Sequence, residues 1–165
     1  MPSKLYIANE TALLINGESG ADYAWSMEGV TNTAGRVSAQ IDLGAVSRAF
    51  LITWSCEVQA QATPTAGATL DLYKGGAPDG DATQIDGDTG NADAALTAEM
   101  EKNMQYFGSV VSENATASEK CVSSGSFVHY QRYLSLAAIN NLGATINATD
   151  TNFRFDLQAK ALEGQ

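Results

Sequence analysis

The stretch FLITWSCEVQ, Phe50 to Gln59, decides the fold. Phe50, Ile52, Trp54, Cys56 and Val58 alternate strictly with Leu51, Thr53, Ser55, Glu57 and Gln59. A period of two puts the first set on one face of a β-strand and the second on the other, whereas a helix would scatter both sets around its circumference. Near the C-terminal end the same pattern returns. Phe153, Phe155, Leu157, Ala159 and Ala161 alternate with Asn152, Arg154, Asp156, Gln158 and Lys160. Two strands with clean apolar faces need each other or a second sheet to cover them, which predicts one shared core containing Phe50, Ile52, Trp54, Val58, Phe153, Phe155 and Leu157.

Shorter strands are expected at Thr11 to Ile15, Tyr23 to Met27, Arg36 to Leu43, Ala68 to Tyr73 and Gln105 to Val111, separated by Gly, Asn, Asp and Pro clusters that favour turns. In FVHYQRYLSLAAIN, Phe127 to Asn140, the set Val128, Tyr130, Arg132, Leu134 and Leu136 would share one face of a strand, with Phe127, His129, Gln131, Tyr133 and Ser135 on the other. Both faces are partly apolar, which suits a strand covered on both sides. One stretch departs from this habit: in NADAALTAEMEKNM, Asn91 to Met104, the residues Leu96, Met100 and Met104 recur at helical spacing and predict one short helix. The chain therefore reads as all-β, an antiparallel β-sandwich of jelly-roll or Greek-key type with a single helical excursion.

Composition sets the outer limits. With 165 residues, 44% of them hydrophobic and 17% charged, the chain suffices for one buried core and one domain spanning 1–165. A formal charge of −10 repels a phosphate backbone and argues against nucleic acid as a partner. No apolar run approaches the roughly 20 residues of a membrane span, so no membrane partner is expected. The opening MPSKLYIANE lacks the basic-then-apolar layout of a signal peptide, which predicts synthesis in a cytoplasm.

Candidate chemistry is sparse. His129 is the single histidine, and around it there is no G-x-S-x-G elbow, no H-E-x-x-H and no second histidine to share a metal. A lone histidine on a strand is more often a packing residue. The segment from Tyr73 to Asp93 gathers Asp79, Asp81, Asp86, Asp88 and Asp93 among glycines, an oxygen-rich composition that suits Ca²⁺. The EF-hand pattern requires Glu at its twelfth position, however, and counting from Asp79 or Asp86 gives Gly90 or Thr97. A solvated loop is the expectation there, with no bound metal and no cofactor. Cys56 and Cys121 are spaced like the inter-sheet bridge of immunoglobulin domains, but Trp54 precedes Cys56 where such domains place the tryptophan after it. Two free thiols are expected. The sequons at Asn9, Asn114 and Asn147 carry no weight without a secretory signal. Tyr23, Trp25, Tyr106, Tyr130 and Tyr133 would form a carbohydrate platform if exposed, although aromatics at alternating strand positions more often sit in a core.

The blocks WSMEGVTNTAGRVSAQIDLG (25–44), ITWSCEVQAQATPTAGATLDLYKGG (52–76), GNADAAL (90–96), HYQRYLSLAAINN (129–141) and ATD (148–150), taken in order, resemble small virion structural proteins of tailed bacteriophages. The resemblance implies a β-rich subunit that is not an enzyme. Its most direct form is a capsid decoration, or cement, protein: a homo-oligomer, most simply a trimer, made in the bacterial host cytoplasm and bound to the major capsid protein on the outside of the virion. A tail, neck or fibre component is the alternative within that group, and a carbohydrate-binding β-sandwich module the alternative outside it. The N-terminal stretch 1–15, with Lys4, Leu5, Tyr6 and Ile7, is the expected attachment arm.

Overall fold

The computed structural model describes residues 5–7, 12–17, 20–44, 49–78, 92–113, 116, 118–149 and 152–164, with 5–7 and 161–164 described as backbone. The strands are β1 (Leu5–Ile7), β2 (Leu13–Asn16), β3 (Tyr23–Ala24), β4 (Gly35–Val37), β5 (Ile41–Asp42), β6 (Phe50–Gln59), β7 (Thr69–Ala77), β8 (Ala94–Ala95), β9 (Gln105–Val111), β10 (Lys120–His129), β11 (Tyr133–Asn141) and β12 (Phe153–Gly164). Among the described residues there is one helix, α1 (Ala98–Asn103), between β8 and β9.

The strands form two sheets. The first runs β10-β6-β12-β2-β3, with β1 paired to β12, and the second runs β8-β4-β11-β7-β9, with β5 paired to β11. All pairings are antiparallel except β2 with β3. Take β4 and β5 together, since both pair with β11, and the principal strands read β2-β12-β6-β10 in one sheet and β4/β5-β11-β7-β9 in the other. Between principal strands the chain changes sheet at every step except β7 to β9. This is jelly-roll wiring, two interlocked Greek keys that bury one face of each sheet against the other.

The core follows the alternation. β6 shows strict buried and half-buried alternation along all ten residues. Phe50, Ile52, Trp54, Val58, Phe153, Phe155 and Leu157 all lie in one cluster with Leu70, Leu72, Leu134 and Leu136 from the opposite sheet. Trp25 packs edge-on against Phe153 and Phe155, with ring centroids 5.1 and 5.4 Å apart, and is fully buried. Asn140 is buried too, yet satisfied: its Nδ2 donates to the carbonyls of Val30 and Ala144, and its Oδ1 accepts from the amide of Leu142. It ties β11 to two loops.

Two expectations need correction. The stretch from Phe127 to Asn140 is not one strand, because β10 ends at His129 and β11 begins at Tyr133, with Tyr130 to Arg132 turning the chain from the first sheet into the second. The parity of the buried face changes across that turn: Phe127 and His129 face inward before it, Leu134 and Leu136 after it. The second apolar face of β11 is covered by the chain itself, since Ala137 packs with Val37 and Met104 beside Leu96 from the excursion between β7 and β9. The helix in that excursion is shorter than the spacing predicted. It starts after Thr97, whose side chain accepts from the amide of Met100 as an N-cap, and Ala94–Ala95 upstream pairs with β4 instead.

Candidate functional site

Along β7 the inward positions run Leu70, Leu72, Lys74 and Gly76. The first two fill the core, and the third places an ammonium where the two sheets begin to part. Nζ of Lys74 donates to the carbonyl of Val128 at 2.9 Å and stands 4.8 Å from the ring centroid of Phe127, a cation–π distance. Burial lowers the Lys74 pKa below the usual lysine range, because removing water disfavours the charged form.

Lys74 forms one wall of a cavity of about 280 Å³. β7 contributes Lys74, Gly75 and Gly76, the α1–β9 junction contributes Asn103 and Gln105, and the end of β10 with its turn contributes His129, Tyr130 and Gln131. His129 is only 5% exposed, and Nε2 lies 2.9 Å from the carbonyl of Tyr133; a carbonyl only accepts, so this nitrogen carries the proton and donates across the turn. Gly76 is required beneath it. A β-carbon there would stand 2.5 Å from Cε1 of His129 and would also meet Oε1 of Gln131. Tyr130, 78% exposed, stands at the rim. Among the described residues the wall contains amides, an imidazole, a phenol and one ammonium, and no carboxylate or thiol. His129 is a buried packing residue, as its place on a strand predicts, and its packed position also lines the cavity. Lys74 went unread because the strand was expected to stop at Tyr73; continuing the alternation one step would have shown a charge on the inward face.

A second feature is the outer face of the first sheet. Cross-strand registers arrange it in rows: Val122, Glu57 and Arg154; Ser124, Ser55 and Asp156; Ser126, Thr53 and Gln158; Val128, Leu51 and Lys160. Lys120 adds an ion pair with Glu57 at one end, and Arg154 pairs with Asp156 at 2.8 Å. Across β10, β6 and β12 the described rows carry three bases, Lys120, Arg154 and Lys160, against two acids, Glu57 and Asp156. That balance contrasts with a whole chain at −10. Val122 is 63% exposed on it, and short hydroxyl side chains fill its middle.

The remaining sequence-predicted sites fall as follows. Of the expected arm, Leu5, Tyr6 and Ile7 pair with Gly164, Glu163 and Leu162, and past Ala161 this is the sole ladder recorded for β12 among the described residues. Lys4 lies outside the described residues, as do Asp79, Asp81, Asp86 and Asp88. Asp93, at the far end of the acidic loop, holds Arg36 through Oδ1 at 2.8 Å and accepts from the Ser26 amide through Oδ2. Cys56 and Cys121 are free and buried. They face Ser123 and Val58 across the β6–β10 ladder, making them diagonal neighbours, which typically stand about 7–8 Å apart, too far for a bridge. Burial raises both thiol pKa values. The aromatics do not gather into a platform, in line with the core reading preferred for them: Trp25 is in the core, Tyr106 is exposed on β9, and Tyr130 stands on the β10–β11 turn.

The fold and these surfaces define an acidic jelly-roll protein with a polar cavity at the β10–β11 turn and a near charge-balanced stretch of sheet face. No known family model matches the chain, and no curated protein sequence matches it.

Proposed function

We propose that this protein is a non-enzymatic virion structural protein, a capsid decoration protein that binds the outer surface of a phage head and stabilises it. The observation that carries the reading to a surface is the outer face of the first sheet, the charge-balanced side of a strongly acidic molecule. Docking through it keeps the uncompensated negative charge in solvent, where salt screens it over roughly 8–10 Å. Its short Ser and Thr side chains also lose little rotamer freedom when covered. The order of sequence blocks supports the phage assignment, and jelly rolls recur in viral capsid proteins, a support by analogy of fold alone.

In this reading β1 and the end of β12 extend the docking sheet toward the major capsid protein. Copies close around local threefold positions as a trimer. The test is co-sedimentation of purified protein with heads that lack it. Val122→Glu and Ser126→Glu, each adding charge to the face, should weaken binding about tenfold, equivalent to about 1.4 kcal/mol, while Glu99→Lys on α1 should leave it unchanged. Equal binding by all three variants, or recovery of the protein from tails alone, contradicts the proposal.

A further inference from the structure

We infer that the cavity between Lys74 and Gln131 is a binding site for a small organic anion, a molecule bearing a carboxylate or a phosphate and no larger than a monosaccharide. In a chain with 19 acidic and 9 basic residues, the described residues of the cavity wall include one ammonium and no carboxylate. Among these described lining residues the ammonium is the one formal charge, and it gives the cavity a local positive potential. Lys74 is also incompletely used. Its ammonium has three N–H donors, the Val128 carbonyl and the Phe127 ring account for two, and no carboxylate pairs with it among the described residues.

The rest of the wall suits the remainder of such a ligand. The side-chain amides of Asn103, Gln105 and Gln131 offer both donors and acceptors to hydroxyl groups, and the exposed Tyr130 ring offers an apolar face at the rim. The volume of about 280 Å³ falls just below the range of pockets for drug-sized ligands, which limits the occupant to a small molecule. Gly76 keeps the space open, since any side chain there would displace His129 or Gln131. Desolvation of the ammonium strengthens its attraction for an anion that enters. The site makes no use of the outer face of the first sheet, so it stands independently of capsid attachment.

The experiment uses the single histidine as its reporter. The imidazole resonances of His129 and the side-chain amide resonances of Gln131 are followed by NMR while the intact protein is titrated with galacturonate, glucose 6-phosphate or neutral galactose. Saturable shifts are expected with galacturonate, with glucose 6-phosphate or with both, the two probes separating carboxylate from phosphate. Galactose should produce at least tenfold weaker binding, and Lys74→Met should weaken the anion by a similar factor while leaving distant resonances in place. If Lys74→Met fails to fold, Asn103→Ala and Gln131→Ala take its place with the same expected loss. No saturable shift with either anion at tens of millimolar, galactose binding as well as galacturonate, or full binding in the cavity variants would each overturn the assignment.

Discussion

Gly125 in β10 lies against the indole of Trp54 in β6 so closely that a β-carbon on the glycine would stand 2.9 Å from Cζ2 and 3.1 Å from Nε1. Gly108 in β9 approaches the same ring, its β-carbon position 2.8 Å from Cζ2. The two glycines make room for the indole where the edge strands of the two sheets meet, and Phe107 and Phe127 close that edge with centroids 4.7 Å apart. Gly125→Ala and Gly108→Ala should each destabilise the fold by about 1–3 kcal/mol through overpacking, whereas the exposed neighbour Ser124→Ala should stay within about 0.5 kcal/mol. Urea denaturation of the three variants checks this, and a Gly125→Ala midpoint equal to the parent's would mean the ring does not rest there.

This contact also explains why β10 was not legible in the sequence. β6 announces itself because every second residue is large and apolar, but KCVSSGSF, Lys120 to Phe127, reads as a polar segment of low strand propensity. Its inward face is built from Cys121, Ser123, Gly125 and Phe127, and at Gly125 the packing is supplied by the partner strand's tryptophan rather than by a side chain of its own. A pattern of hydropathy cannot register a contact made by an absent side chain. The cavity escaped for a different reason. Its walls come from 74–76, 103–105 and 129–131, segments that only the sheet wiring brings together.

Removing a large buried side chain should cost more than crowding one. Trp54 and Phe155 stack with their planes 10° apart and centroids separated by 5.9 Å. Trp54→Ala and Phe155→Ala should each cost about 3–5 kcal/mol in chemical denaturation. Losses below about 1 kcal/mol at both positions would show that these faces are not buried.

Acid should weaken the β5–β11 corner. Arg132 bonds both oxygens of Asp42, at 2.8 and 2.6 Å, and Asp42 also accepts from the Gly44 amide. The bond from Arg132, ahead of smaller contributions, holds the Asp42 pKa below the usual carboxylate value, against the opposing effect of burial. A carboxylate depressed in the folded state contributes its stability fully above the unfolded value near 3.9 and loses it as pH falls through the lower folded value. Both side chains are over a third exposed, so solvent screening keeps the contribution small. Melting temperatures measured between neutral pH and about pH 2 should fall less steeply for Asp42→Asn than for the parent chain over the acid limb. Identical acid slopes would place the pH dependence elsewhere.

The two thiols give a chemical check on burial. Alkylation in denaturant without reductant should add a label to each of Cys56 and Cys121, and alkylation of the native protein should be slow because both are buried with raised pKa values. An intact mass showing no label after denaturation would establish a bridge and contradict the β6–β10 register.

The proposed role reduces to whether the protein holds a head together. The most direct measurement is the temperature at which phage heads rupture and release DNA, compared between heads with the protein, heads lacking it, and lacking heads to which purified protein has been returned. Rupture should come at a lower temperature without the protein and be restored by adding it back, with the Val122→Glu variant needing about tenfold more protein for the same effect. Equal rupture temperatures with and without it would contradict the account.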